Sequence, residues 1–263
     1  VLTAAGLPVL HELGGVGGNY MDHYCTRMNW RVRGITTLNE TSRGWRLLPQ
    51  LLRYALGGLG ILAYGTGIAG GFVRSAPHVA TPDVQYFFVH ASYANAADRV
   101  LDRQPGMTIG VTQLRPRSRG TIHAKAPDPL MPPAIRPNFL ADPEDGRVLA
   151  EGMRIAREVV AQPALARFTE HEMTPGPDCI DEAALIDFAR RTGQTIYHPC
   201  GTARMGADAG AVVDPRLRVR GIAGLRVADA SVMPTIVSAN TQAAVMMIAE
   251  KAAVMIAEDE RAA

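Results

Sequence analysis

Residues 197–206 read YHPCGTARMG. The stretch sets one histidine, His198, between Tyr197 and Pro199, with Cys200, Gly201 and Gly206 close behind. Four readings of that histidine are open: a packed core side chain, a metal ligand, a partner for the Cys200 thiol, and a catalytic base. A metal site asks for further ligands at helical or hairpin spacing. None stands around His198, so no metal is expected. Pairing with Cys200 is disfavoured, because side chains two residues apart on a strand or turn seldom hydrogen-bond each other. The core reading is the ordinary one for a lone histidine. Against it, Pro199 fixes φ, and Gly201 and Gly206 allow the backbone to approach something closely. That setting suits a rigid mount for an imidazole facing a flat ligand.

The chain around this loop has 263 residues, 47% of them apolar and 20% charged, with a formal net charge of +2. This is enough for one large domain or two small ones with a sizeable core. The near balance of charge excludes a global field drawing the protein to nucleic acid. Arg115, Arg117 and Arg119 would share one face of a strand and read as a solvated edge. Cys25, Cys179 and Cys200 are few and far apart, which fits a reducing compartment rather than a disulfide framework. No secretory signal pattern is visible, and the chain starts at Val1, as a fragment or processed product would. A cytoplasmic location follows, with or without peripheral attachment to a membrane. Residues 54–73 carry no charge over 20 positions but hold seven glycines. They read as a glycine-rich loop, not a membrane span.

Hydrophobic patterning predicts a helix over residues 44–56, with Leu47, Leu48, Leu51, Leu52 and Ala55 on one side. Residues 84–90 and 121–125 read as strands, and residues 107–114 as a half-buried strand because Met107, Ile109 and Val111 alternate with Thr108, Gly110 and Thr112. Residues 127–137 read as a proline-rich loop. Asp142 caps a predicted helix that starts at Pro143 and runs to about Ala161. Residues 181–192 form another, with Leu185, Phe188 and Ala189 on one face and Gly193 as its stop. Residues 224–229 read as a short buried strand ending in Asp229. A last helix spans residues 243–258, with Val245, Ile248, Ala252 and Met255 in its stripe. Strands and helices grouped rather than strictly alternating imply an α+β fold.

Gly65-Thr66-Gly67-Ile68-Ala69-Gly70 matches the dinucleotide pattern G-x-G-x-x-G. The helix that must follow would end before Pro77 and contain Gly70 and Gly71, so the match reads as a decoy. Gly15-Val16-Gly17 fails because Tyr20 takes the last glycine position.

Several segments together resemble one family. Residues 197–206, then Asp214-Pro215-Arg216-Leu217-Arg218-Val219, then residues 224–234, then Ser238-Ala239-Asn240-Thr241-Gln242 are similar to the C-terminal block of the glucose-methanol-choline (GMC) flavin oxidoreductases, of choline dehydrogenase-like type. Residues 15–23 resemble the family's G-V-G-x-N-L-x-D-H, departing at Tyr20 and Met21. Residues 71–73, 82–85 and 118–122 resemble further family segments in the same order.

That resemblance implies FAD as cofactor and oxidation of an alcohol, choline-like or another primary alcohol, by hydride transfer to the flavin. His198 falls on the family's catalytic histidine and Asn240 on its second active-site position. Asp229 and Ala230 fall on the segment contacting the flavin's phosphoribityl chain, and Thr241 and Gln242 beside its ring. Asn240 has a plainer reading as the N-cap of the last helix, and Asp229 as a turn acid. The family's ADP-binding G-x-G-x-x-G belongs to an N-terminal half that this sequence lacks. The resemblance therefore implies a linker at residues 1–30, a mostly antiparallel substrate-binding domain at residues 31–195, and the closing strand and helix of an FAD-binding α/β domain at residues 196–263. It also implies a chain that does not hold FAD tightly by itself, with the missing half as partner. A flavin-scaffold lyase of hydroxynitrile lyase type and a non-catalytic half-protein are the alternatives. The electron acceptor, oxygen or quinone, is not legible.

Overall fold

A computed structural model describes residues 2–65, 67–95, 98 and 100–262. In chain order its strands are β1 (Tyr24–Val32), β2 (Gly67–Val73), β3 (Val84–Val89), β4 (Tyr93–Asn95), β5 (Val100–Leu101), β6 (Gly106–Gln113), β7 (Thr121–His123), β8 (Ala134–Arg136), β9 (Thr169–Thr174) and β10 (Gln194–Thr195). Its helices are α1 (Leu38–Thr41), α2 (Leu48–Ala55), α3 (Pro143–Val160), α4 (Pro163–Ala166), α5 (Glu182–Thr192) and α6 (Gln242–Ala262). The fold is α+β. Two compact units interleave along the chain. One comprises residues 1–23, 114–145 and 195–263, the other residues 24–113 and 146–194.

The second unit is built on an antiparallel sheet in the order β10-β1-β6-β3-β2, with β9 also paired to β1. Its middle strand, β6, is buried at all eight positions, not on one face as the alternation of residues 107–114 suggests. Helix α3 covers one side: a Cβ on Gly152 would meet Val111 at 2.6 Å, and Tyr86 donates to the Gly152 carbonyl at 2.7 Å. Thr108 survives inside because its hydroxyl donates to Asn29 Oδ1 and is also 2.7 Å from the Ala91 carbonyl.

Local signals set both long helices of this region. Asp142 Oδ1 accepts from the Glu144 N–H at the start of α3. Asp181 Oδ1 accepts from the Ala184 N–H at the start of α5, whose Leu185, Phe188 and Ala189 are buried. Gly193 ends α5 in an extended conformation, φ −72°, rather than the left-handed one. Glycine fits there because a Cβ would lie 2.5 Å from the Tyr24 ring.

The helix over residues 44–56 forms, as a 3-10 turn (Gly44–Leu47) and α2, with Leu48, Leu51 and Leu52 exposed and none of α2 buried. Other expectations fail. Residues 67–73, read as part of a glycine-rich loop, form edge strand β2, paired to β3. Thr66 of the rejected dinucleotide pattern lies outside the described residues. Residues 115–119 form no strand, so the three arginines do not share a strand face. Among the described residues, no helix is long and apolar enough to cross a membrane.

The first unit packs Met21, Cys200, Val213, Leu217, Val232 and Ile236 against Ile248 and Ala252 of α6. The predicted stripe of α6 is thus the buried one. Residues 224–229 are not a buried strand: Leu225 is 48% exposed, and a lone bridge joins Arg218 to Arg226. Gly224, at φ +74°, turns the chain there, and the ladder ends after Val227 donates to the Leu217 carbonyl.

Candidate active site

The loop of His198 is held from two sides within the first unit. On one side, Met21 and Cys200 exchange both backbone hydrogen bonds, at 2.9 and 3.0 Å. Counting two residues on from Met21 and two back from Cys200 puts His23 opposite His198 on the same face. The two imidazoles meet there, Nδ1 to Nδ1 at 2.9 Å, edge to face at 86°. On the other side, the N–H groups of Gly201, Ala203 and Met205 donate to the carbonyls of Ala230, Ser231 and Val232. Asp229 caps that 3-10 turn, its Oδ1 accepting from the Ser231 N–H at 2.8 Å.

Asp22 fixes the turn itself. This carboxylate is buried and accepts from the His198 N–H at 2.9 Å, the Tyr20 hydroxyl at 3.2 Å and the Thr195 hydroxyl. Thr195 Oγ1 in turn accepts from the Tyr197 N–H at 2.8 Å, where Tyr197 takes a left-handed φ of +67°. Gly201, at φ +89°, passes so close to the facing strand that a Cβ would lie 2.5 Å from the Asn19 carbonyl oxygen and 2.6 Å from Met21 Cε. The close approach inferred for Gly201 is therefore to the protein's own backbone. Gly206 likewise faces Arg204, Asp208 and Ala211.

Asn240 reaches the same histidine from the far end of the chain, its Nδ2 3.3 Å from His198 Nε2. It is not the N-cap of α6. The first helical bond runs from the Val245 N–H to the Thr241 carbonyl, which makes Thr241 the cap and leaves Asn240 one residue outside. Thr241 is buried and Gln242 exposed at the first turn.

Burial sets the electrostatics. His23 is fully buried, and desolvation with the nearby His198 pushes its pKa down from 6.5 to about 4. The carbonyls of Leu114, 3.2 Å from Nε2, and of Val237 oppose that fall only in part. Desolvation also lowers the pKa of half-buried His198, with Asp22 pulling the other way. Both shifts favour the neutral imidazole. The Cys200 thiol is pushed up to about 12 by burial, then by Asp22. It is no thiolate, which removes the Cys–His nucleophile reading. Among the described residues no cluster of His, Cys, Asp and Glu could hold a metal ion.

His198 and Asn240, expected to act together, are adjacent. Asp22, His23 and Thr195 carry no role in the sequence reading, although Asp22-His23 sits in the quoted N-terminal motif. The available signal was an acid–histidine pair directly before the apolar start of β1.

The donors here fit a flavin. The hydroxyl of Ser238, two residues from Asn240, is buried with no partner among the described residues. The N-terminal turn of a 21-residue helix begins at Gln242, where unpaired N–H groups favour an electron-rich ring or phosphate.

Comparison with known proteins agrees. An oxygen-dependent choline dehydrogenase of Klebsiella pneumoniae is 38% identical over 254 residues, covering 96% of this chain and 46% of that protein. Its counterpart in Escherichia coli is 37% identical over 257 residues, covering 97% of this chain and 45% of its own length. The chain thus spans about half the length of the curated relatives it matches. The structure of a formate oxidase from Aspergillus oryzae superposes with a TM-score of 0.90 at 25% identity, over 99% of this chain and 50% of that one. The family model described as GMC oxidoreductase matches residues 116–249, which include both His198 and Asn240. The chain belongs to the GMC oxidoreductase family, whose cofactor is FAD.

Proposed function

We propose that this chain is the substrate-binding and catalytic portion of an FAD-dependent enzyme that oxidises an alcohol, choline-like or another primary alcohol, with His198 as the base. The observation that carries this reading is the half-buried imidazole of His198 beside the Asn240 amide, Nε2 to Nδ2 at 3.3 Å. In it, the unit of residues 24–113 and 146–194 binds substrate and the unit of residues 1–23, 114–145 and 195–263 completes the FAD domain; the contiguous bounds 1–30, 31–195 and 196–263 give way because residues 114–145 group with the latter.

The alcohol loses a hydride from carbon and a proton from oxygen, and a carbonyl product forms. FAD, when bound, supplies the two-electron sink for the hydride. The chain's own residues handle the proton. His198 accepts it from the hydroxyl, and Asn240 orients the substrate oxygen without adding charge. Burial lowers the pKa of the imidazole and so favours its neutral form, the form that acts as a base. Asp229 and Ala230 hold the phosphoribityl segment, and Thr241 and Gln242 lie by the ring. The choline dehydrogenase relatives support the choline-like substrate.

The test is anaerobic stopped-flow reduction of the flavin-loaded enzyme. His198→Ala should slow flavin reduction by about 10²–10⁴-fold. An unchanged rate removes His198 from the chemistry. Substrate turnover with no bleaching of the flavin in the wild type would make the enzyme a lyase instead.

A further inference from the structure

We infer that His23 is a positioning residue that fixes the tautomer of His198, through a directed chain of hydrogen bonds from the Leu114 carbonyl to the Asn240 amide. The inference rests on the reading of His198 as the base, and its test is independent of that reading.

The direction of the chain follows from its ends. A carbonyl oxygen only accepts, so the His23 nitrogen facing Leu114, Nε2 at 3.2 Å, carries the hydrogen. The ring is fully buried and neutral, so its Nδ1 is a bare lone pair. That lone pair faces His198 Nδ1 at 2.9 Å. Two lone pairs would repel at this distance and two N–H groups would collide, so a single proton sits between them, on His198. Burial favours the neutral form of His198 as well, and with its one hydrogen on Nδ1 its Nε2 is bare. The amide nitrogen of Asn240, a donor only, lies 3.3 Å from that atom. Both ends demand the same direction. The reverse would set lone pair against carbonyl at Leu114, and N–H against N–H at Asn240.

The consequence is chemical. In water an imidazole side chain favours the Nε2–H tautomer, which would cap the nitrogen that has to take the substrate's proton. The ring partner of a histidine sets which nitrogen is protonated. Here His23 reverses the intrinsic preference and leaves Nε2 as the base. When Nε2 takes a proton, the Nδ1–H bond to His23 becomes charge-assisted and stronger. The other titratable groups around the pair do not compete. Asp22 is engaged by the His198 backbone N–H, Tyr20 and Thr195, and both the Tyr20 phenol and the Cys200 thiol are held protonated by burial.

Selective ¹⁵N-histidine labelling of the complete chain reads the tautomers directly at pH 7 to 8, without flavin turnover. Wild-type His198 should carry its proton on Nδ1. His23→Phe, which removes the acceptor, should shift the tautomer ratio toward Nε2–H by about tenfold, the worth of one hydrogen bond. His23→Gln can accept from His198 and donate to Leu114, and should keep the wild-type ratio. Nε2–H on wild-type His198, or an unchanged ratio in His23→Phe, overturns the inference. If His23→Phe does not fold, the wild-type assignment alone decides. A wild-type Nδ1–H tautomer with an undiminished His198→Ala flavin-reduction rate would sink the base and leave the positioning intact.

Discussion

His23 and His198, 175 residues apart in sequence, share a single proton position between their Nδ1 atoms at 2.9 Å. The contact is lost when His23 gains a second proton, on the Nδ1 that accepts, which ties the folded state to pH. Unfolded, His23 titrates near 6.5; folded, near 4. Between those values the unfolded chain binds the extra proton, so stability is full above pH 6.5, falls as pH drops toward 4, and levels off below. A shift of that size corresponds to about 3 kcal/mol. Urea unfolding midpoints at pH 7.5 and 4.5 should show this loss, and His23→Gln should remove that share of it. Equal slopes in both proteins would show that His23 does not titrate as argued.

Gly201 is the second constraint on the loop. Alanine there meets a left-handed φ of +89° and a backbone oxygen 2.5 Å from its Cβ. Gly201→Ala should cost about 2–4 kcal/mol. Gly14, with nothing within 4 Å of where a Cβ would stand and no positive φ, is the control. Gly14→Ala should be neutral or slightly stabilising. Similar losses in both, measured by denaturation, would mean that the loop relaxes around the methyl group.

What was legible in the sequence was local. Asp142 announces its helix because a cap acts over a few residues, and residues 181–192 show theirs through Leu185, Phe188 and Ala189 on one face. The stripe of α6 shows because helical spacing brings Ile248 and Ala252 to one face. What was hidden depends on partners. Residues 107–114 alternate like a half-buried strand, yet every position of β6 is buried, with helix α3 over one face. Leu51 and Leu52 share a helix face like that of Leu185, but α2 leaves them exposed. His198 and Asn240 were found through the motif they sit in. His23 was missed because its partner lies across a backbone pairing that spacing does not reveal.

The contrast between α2 and α5 is itself measurable. Leu185 is fully buried, so Leu185→Ala should cost about 2–5 kcal/mol. Leu52 is 61% exposed, and Leu52→Ala should change stability by no more than about 0.5 kcal/mol. A large loss at Leu52 would show that the α2 face is covered in solution.

Two substitutions should move the pH dependence of flavin reduction in opposite directions. His198 works deprotonated, so the rate falls on the acid side of its pKa. Asp22 raises that pKa, and Asp22→Asn should carry the acid limb to lower pH. It should also cost about 2–3 kcal/mol of stability, because one amide oxygen cannot replace a carboxylate accepting from Tyr20, Thr195 and the His198 N–H. Asn240→Asp puts an acceptor and a negative charge 3.3 Å from Nε2, where a donor stood. It should raise the His198 pKa by about 1 unit or more, carry the acid limb upward, and slow the reaction at pH 7. If both variants shift the limb the same way, or neither does, the group that titrates in the rate is not His198.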